Sequence, residues 1–467
     1  MKKGYITVYF SIAVTICISL LIGLVYGARE NAIRQKTKSA VDISLISSFG
    51  EYQKELWSMY DMIFVDSTYG YDVEPIVLTE EHFENCLERN FDEEKFSLFG
   101  GKDFLKLNCV NVETNRIRFF GDYDGQAVRD QAAKAIKYRY GVGYVEDLYE
   151  KVKEVEELTV TGDLDDSFER AKEALEDETD IEISEWKNAC DKAVFSKKEA
   201  SRSLTIGAVF RDVSHISSKA LNREELFQYR GRNTGNLRNA EKETTENTLL
   251  FKEYVLEYFG NLLEKKPESV CDYEVEYCIV GDSSDAKNLE GVLNRILLLR
   301  EALNAASLAA DTARMSEIEA ASELISALLV NPESAPAINT IIFLLWTYAE
   351  SIADLRGLVE GKRVPVIKTE DQWQTGMSAV FGSNIITEND DNGLNYKDYL
   401  RLFLLTQEKE ELTLRAADLM EINIRSKLED YSFKLDNCFD AWEVTAYISS
   451  DYGYDYIVTR KYDMEDF

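Results

Sequence analysis

Met1-Lys2-Lys3 is followed by Gly4-Tyr5-Ile6-Thr7-Val8-Tyr9-Phe10-Ser11-Ile12-Ala13-Val14-Thr15-Ile16-Cys17-Ile18-Ser19-Leu20-Leu21-Ile22-Gly23-Leu24-Val25-Tyr26-Gly27-Ala28, a run without one charged side chain that ends at Arg29. At about 1.5 Å of rise per helical residue, such a run crosses a hydrocarbon core of about 30 Å. A secretory signal has a shorter apolar region closed by an A-x-A-like site, and Gly27-Ala28 supplies no clear one. Residues 1–28 therefore read as a short stub and an uncleaved membrane anchor, with a cleaved signal as the alternative.

Beyond Arg29 no proline occurs until Pro75, and Val41, Leu45, Phe49, Tyr52, Leu56, Met59 and Ile63 recur at spacings of four and three. That is one stripe on one helix. The spacing predicts a stalk helix over 29–66 continuous with the anchor, on the order of 90 Å long in all. Gly50 is its weakest point, costing about 1 kcal/mol against alanine. Val41, Leu45, Phe49, Tyr52 and Leu56 are expected to pack against partner helices or the protein's own sheet, and the chain from about residue 67 is expected to fold without the stalk.

Lys3-Gly4-Tyr5-Ile6-Thr7-Val8-Tyr9-Phe10, the apolar span, Ala28-Arg29 and Lys38-Ser39-Ala40-Val41-Asp42 resemble the N-terminus of TadE/TadG-like proteins of tight-adherence (Flp) pilus systems. The chain downstream resembles a large family of uncharacterised Gram-positive membrane proteins with the same N-terminus. The resemblance runs through Asp124-Gly125, Gln131 and Lys137-Tyr138, then Tyr273 to Tyr277 with Asp285, Asn288-Leu289, Arg300-Glu301 and Asn304. It continues at Trp346, Ala349-Glu350-Ser351, Asp354, Gly361, Pro365 to Lys368, Gly393 to Leu400, Asp418 and Asn423-Ile424-Arg425. It implies a single-pass component of pilus or secretion-machinery assembly, in the cell membrane, with pilus or secretion-system membrane proteins or pilin-like subunits as partners. It carries no established activity. Prepilin peptidases cut after a glycine, and pilin subunits place a glutamate five residues beyond the cut. Here the fifth residue after Gly4 is Tyr9, so an unprocessed anchor is expected.

The chain has 467 residues, enough for two ordinary domains, and a formal charge of -32. Such a charge argues against binding nucleic acid or anionic lipid, both of which need lysine and arginine. Arg29, Arg34, Lys36 and Lys38 outnumber Lys2 and Lys3 across the span, so the positive-inside rule opposes the topology the resemblance implies. With a stub of three residues, the large C-terminal domain is placed outside the cell. Cys17 lies in the span, and Cys86, Cys109, Cys190, Cys271, Cys278 and Cys438 are expected to be buried thiols rather than disulfides, since spacing assigns no pairing.

The remaining patterns predict an α+β fold: the transmembrane and stalk helix, then an ectodomain of mixed helices and antiparallel sheet. Residues 67–144 form its first part, with two strands within Leu107 to Phe120 around Glu113-Thr114-Asn115 and a helix over Gly125 to Tyr140. Residues 145–200 form an acidic helical insertion; Val145 to Lys192 hold 18 acidic and 6 basic side chains. The core, 201–467, opens with a strand at Ser203 to Phe210 and a helix at Asn247 to Leu263. Tyr273, Val275, Tyr277 and Ile279 alternate with Asp272, Glu274 and Glu276, the pattern of a half-buried strand. Leu289 to Leu329, in one or two pieces, and Pro336 to Leu358 are helical, and Ile341 to Trp346 lies in an apolar stretch too short to cross a membrane. Trp442 to Lys461 reads as a hairpin turning at Asp451-Tyr452-Gly453.

Motifs for chemistry are scarce. The sequence holds no G-x-S-x-G, H-E-x-x-H or Walker A loop, and His82 and His215 are its only histidines. No catalytic residue, cofactor or metal is assigned. Trp346, Glu350 and Asp354 recur every four residues along one helix face. With Arg300 as partner, Glu350 and Asp354 are expected to form a buried polar network tying core helices, a reading preferred over a catalytic acid pair. Glu388-Asn389-Asp390-Asp391-Asn392-Gly393 imitates the start of a calcium loop, but its twelfth place is Tyr399. A turn leading to Asn395 as helix N-cap, with Asp398 three residues on, explains the same residues. The expected function is that of an interaction or structural component; the alternatives are a membrane-tethered surface hydrolase using carboxylates and an extracellular sensor or scaffold.

Overall fold

A computed structural model describes residues 3–91, 105–141, 144, 148, 204–238, 243–328, 332–377, 393–429 and 432–464. In chain order the described elements begin with α1 (Lys3–Phe49), α2 (Lys54–Tyr60), β1 (Val65–Asp66), α3 (Val77–Phe91), β2 (Leu107–Phe119) and α4 (Gln126–Tyr140). There follow α5 (Leu204–Val209), α6 (Thr245–Tyr258), α7 (Glu274–Val280), α8 (Asp285–Ala310), α9 (Thr312–Leu328) and α10 (Ala335–Val359). The last are α11 (Tyr396–Leu405), α12 (Lys409–Leu428), β3 (Cys438–Ser450) and β4 (Tyr454–Asp463). The protein is a mixture of helices and a small antiparallel sheet, the α+β class expected. It divides into two compact units: Met1–Ala132 with Gly231–Thr244 and Met420–Phe467, and Ala133–Arg230 with Thr245–Leu419. Of the expected acidic insertion only Leu148 is among the described residues, and the calcium-like residues Glu388 to Asn392 lie outside them.

In the first unit β3 is central. It pairs with β2 along one edge and with β4 and the two-residue β1 along the other, all antiparallel. The polar triplet Glu113-Thr114-Asn115, expected to turn the chain, instead bulges one continuous strand, with register shifts at Cys109/Asn111, Thr114/Arg116 and Arg118/Phe119. Side chains hold it there. The Thr114 hydroxyl accepts from the Trp442 indole at 3.0 Å, and the Asn115 amide donates to Thr445 at 2.7 Å.

One face of this sheet is covered by α1 and α3. Ile33, Ala40, Val41, Leu45 and Phe49 of α1 share a core with Phe83 and Leu87 of α3 and with Phe439, Trp442, Val444 and Ile448 of β3. Phe49 meets Phe439 edge-on at 5.6 Å and Tyr462 at 4.4 Å. The helix does not continue to residue 64: it stops at Phe49, and Gly50 closes the last turn by donating to the Ile46 carbonyl at 3.0 Å. The stalk expected over 29–66 is therefore the end of α1, then α2, then β1.

The second unit is built of helices. Two short runs expected as strands are helices, and the stretch from Leu289 expected as one or two helical pieces is two. Leu204–Val209 is helical, its Ala208 carbonyl taken by the Arg356 guanidinium at 2.7 and 3.0 Å. Glu274–Val280 is also helical, because Glu274 and Glu276 are buried with the apolar residues between them, so alternation did not mean one wet face. Asp311 separates α8 from α9 by accepting from the backbone of Ala313 and Arg314 at 3.1 and 3.0 Å. Ile342 and Trp346 of α10 pack with Leu308 and Ile318. Among the described residues α1 alone is long and apolar enough to cross a membrane.

Candidate functional site

Two features of the fold carry the residues singled out from the sequence: α1 in the first unit and a buried charge network in the second. On α1, every large apolar residue from Val8 to Tyr26 is exposed, and the burial of the helix begins past Arg29. Thr7, Ser11, Thr15, Ser19, Gly23 and Gly27 recur at intervals of four along one oblique row of that exposed half. Small residues on such a row let another helix approach closely within lipid. The Thr15 and Ser19 hydroxyls each donate to the carbonyl four residues back at 2.9 Å, so they add no unsatisfied donor to this apolar surface. A Cβ added at Gly23 or Gly27 would meet no atom of this chain. Glycine costs about 1 kcal/mol against alanine inside a helix, and nothing in the chain itself requires it at these two places. The seam is legible in the four-residue spacing of small side chains, a signal separate from the length of the apolar run.

Of the two covers expected for the stripe, partner helices and the protein's own sheet, the structure shows the second. Val41, Leu45, Phe49 and Leu56 are 0–3% exposed, and Tyr52 packs against the same core as α1 and the sheet. These side chains are occupied by the protein's own core rather than by a partner helix. Amphipathic spacing states that a face is buried and not by what.

In the second unit Arg300, Glu350 and Asp354 are brought together and are completely enclosed. The Arg300 guanidinium donates to Asp354 at 2.9 Å, to the Pro365 carbonyl at 2.8 Å and to Asn304 at 3.1 Å. The fourth member, not grouped with these residues from the sequence, is Lys368, whose ammonium contacts both Glu350 and Asp354. Glu350 also accepts from the Thr375 backbone at 2.8 Å, the Thr375 hydroxyl at 2.6 Å and the Gln374 backbone at 3.0 Å. Two acids and two bases balance in charge, and the oxygens of both acids have partners, which is the condition for charges to persist out of water. The arrangement clamps residues 364–375 onto α8 and α10. With no access to solvent it offers no acid to a substrate. No local pattern announces Lys368, which reaches the acids from beyond the end of α10.

Other charges are structural in the same way. Arg118 of β2 bridges Asp440 of β3 and Asp463 of β4 at 2.7 Å each, all three enclosed within the first unit. Burial raises the Asp440 carboxyl above its usual range, with the Arg118 hydrogen bond and charge opposing. His82 sits 3.0 Å from Glu51 and against the Tyr69 ring, and His215 is 3.4 Å from Asp212 on the surface. Among the described residues no three His, Cys, Asp or Glu side chains group as metal ligands. Cys271, Cys278 and Cys438 are buried free thiols, each pushed up by burial. Asn395 caps α11 reciprocally with Asp398, at 3.0 Å in both directions.

Fold and site thus define an α+β protein whose first helix is long and apolar enough to span a membrane and ends in the protein's own core. Residues 184–450 match the family described as a family of unknown function, DUF5702, and the chain belongs to that family. No match to it was found among curated proteins or solved structures.

Proposed function

We propose that this protein is a single-pass, membrane-anchored interaction component of the TadG-like kind, serving assembly of a pilus or secretion machine at the cell surface, with its folded domain outside the membrane. The observation that carries the reading is the double duty of α1. One uninterrupted helix presents an apolar, exposed half with a small-residue seam, and its other half is locked into a sheet. A helix seated in this way transmits a force or a position between lipid and domain without a hinge. A mere tether would need neither property. The likeness of the N-terminal residues to TadE/TadG-like proteins supports the same reading and names the partner class: membrane helices of pilus or secretion-system proteins. The alternative of a tethered hydrolase draws nothing from Glu350 and Asp354, which are enclosed and fully paired.

The test is photocrosslinking in intact cells from Ser19 on the seam. A captured membrane protein is expected, and Gly23→Leu with Gly27→Leu should abolish capture while the protein still reaches the membrane. Capture unaffected by the two leucines would reject the seam as the partner surface, and a pilus or secretion phenotype untouched by them would reject the assembly role.

A further inference from the structure

Arg29 is the first charged residue beyond the span, and its guanidinium carbon lies 3.9 Å from the centre of the Tyr452 ring. Tyr452 stands at the tip of the β3–β4 hairpin, in the turn Asp451-Tyr452-Gly453, where Gly453 takes φ +78°. This contact is no accident of one side chain. Arg460 of β4 pairs with Asp42 at 2.6 Å, and Tyr462 lies against Phe49, so β4 and the upper half of α1 run side by side in the same direction. From Arg29 to Phe49 the helix rises about 30 Å. From Tyr452 to Tyr462 the strand covers about 33 Å. The hairpin tip and Arg29 are therefore at one level.

That level can be placed relative to lipid. Tyrosine collects at membrane–water interfaces, and Tyr9 and Tyr26, 78% and 55% exposed, are separated by about 26 Å of helix, close to the thickness of a hydrocarbon core. With Tyr26 at the upper edge, Arg29 stands about 4.5 Å further on, among headgroups. We propose that the β3–β4 turn, through Tyr452 and with Lys106 beside it, rests in the lipid headgroup layer of the bilayer that α1 crosses, giving the domain a second membrane contact that fixes the tilt of its anchor. Tyr452 is 38% exposed, and Lys106, 3.2 Å from Asp451, is half exposed, so an amphipathic ring and an ammonium face outward together. Guanidinium, ammonium and phenol suit the phosphate and ester oxygens of that layer. The occupant is lipid because the helix carrying Arg29 is continuous with the span.

The contact rests on α1 spanning a membrane, and the experiment separates the two. The full chain would be placed in phosphatidylcholine vesicles with benzoylphenylalanine in place of Leu20, Tyr452 or Ile457, an exposed β4 residue about 16 Å above the tip. Irradiation should give lipid adducts at Leu20 and Tyr452 and none at Ile457. Adducts at Leu20 without any at Tyr452 would overturn the contact and leave the span standing, and none at either would overturn the span and the contact with it. Equal labelling at Tyr452 and Ile457 would overturn the depth assignment. Tyr452→Ser, which leaves the strand pairing in place, should shift or broaden the α1 tilt read by polarised infrared dichroism; an unchanged tilt would reject the anchoring role.

Discussion

Glu276 accepts hydrogen bonds from the Leu262 backbone at 2.9 Å and the Tyr396 hydroxyl at 2.7 Å, but burial outweighs them and raises its carboxyl to about 7. A carboxyl raised in the folded state keeps its proton there when the unfolded chain has already lost it. Its stabilisation is complete below the unfolded value of 4.5 and is lost as pH rises to about 7, a change on the order of 3 kcal/mol. Melting temperature should fall between pH 5 and pH 8, and Glu276→Gln should flatten that fall; parallel profiles would contradict the assignment. Lys368 poses the opposite case. Lys368→Met would leave Glu350 and Asp354 sharing only Arg300 in an enclosed site, and breaking a buried pair costs about 3–5 kcal/mol. Denaturant titration of the second unit should show a loss of that order, partly recovered by adding Glu350→Gln. Gly235 is constrained by space: a Cβ there would come within 2.1 Å of the Ile117 carbonyl oxygen, in the segment whose Asn236 and Leu237 amides donate to that same oxygen.

At the scale of elements, α1 is the part whose two faces make different predictions. Phe49→Asp puts a carboxylate among Phe439, Tyr462 and Trp442, without a cation among the residues of that core. The cost is several kcal/mol, enough to unfold a marginal unit. Ile46, 57% exposed three residues earlier, lies on the other face. Ile46→Asp should leave the fold intact by circular dichroism and protease resistance, and equal damage from the two substitutions would show that the burial of α1 is wrongly assigned. In α10 the capacity for error was of another kind. Ile341 to Leu345 would suit lipid, yet Trp346 donates to the Thr375 carbonyl at 3.2 Å and stacks edge-on with Trp373, which ties the segment into a protein core.

For the whole molecule, the burial of Ile33 through Phe49 changes where the chain can be cut. A chain beginning at Arg29 keeps every α1 residue of the first core, and one beginning near residue 67 loses Ile33, Ala40, Val41, Leu45, Phe49 and Val65 from it together. The shorter chain, expected from the sequence to fold alone, should instead yield a protease-sensitive first unit, whereas the Arg29 chain should be soluble and melt cooperatively. Limited proteolysis of both decides the matter, and a resistant, cooperatively melting chain from residue 67 would show that the sheet does not need α1. The charge of -32 acts at this scale too: a net charge so far from zero favours solubility and repels anionic polymers.

What the sequence by itself determined is whatever depends on neighbours within a helical turn or a tight loop. A helix long and apolar enough to span a membrane follows from the length of an uncharged run, the Asn395 cap from a residue three places away, and the Asp451 to Gly453 turn from a glycine between two alternating runs. Only the tertiary structure decided the fate of groups whose partners are remote in sequence. The stripe at Val41 to Leu56 was plainly a buried face, but that its cover is the chain's own sheet rests on pairs such as Asp42 with Arg460, 418 residues apart. Glu274 and Glu276 alternate like the wet edge of a strand, yet both are buried and accept from the Gly260 and Leu262 amides. Glu350 and Asp354 were placed on one helix face correctly by periodicity, while Lys368, which neutralises them, arrives through a loop whose path no period encodes. Hydrophobic pattern reports that a surface leaves water; the identity of what it meets is a property of long-range packing, which local sequence does not carry.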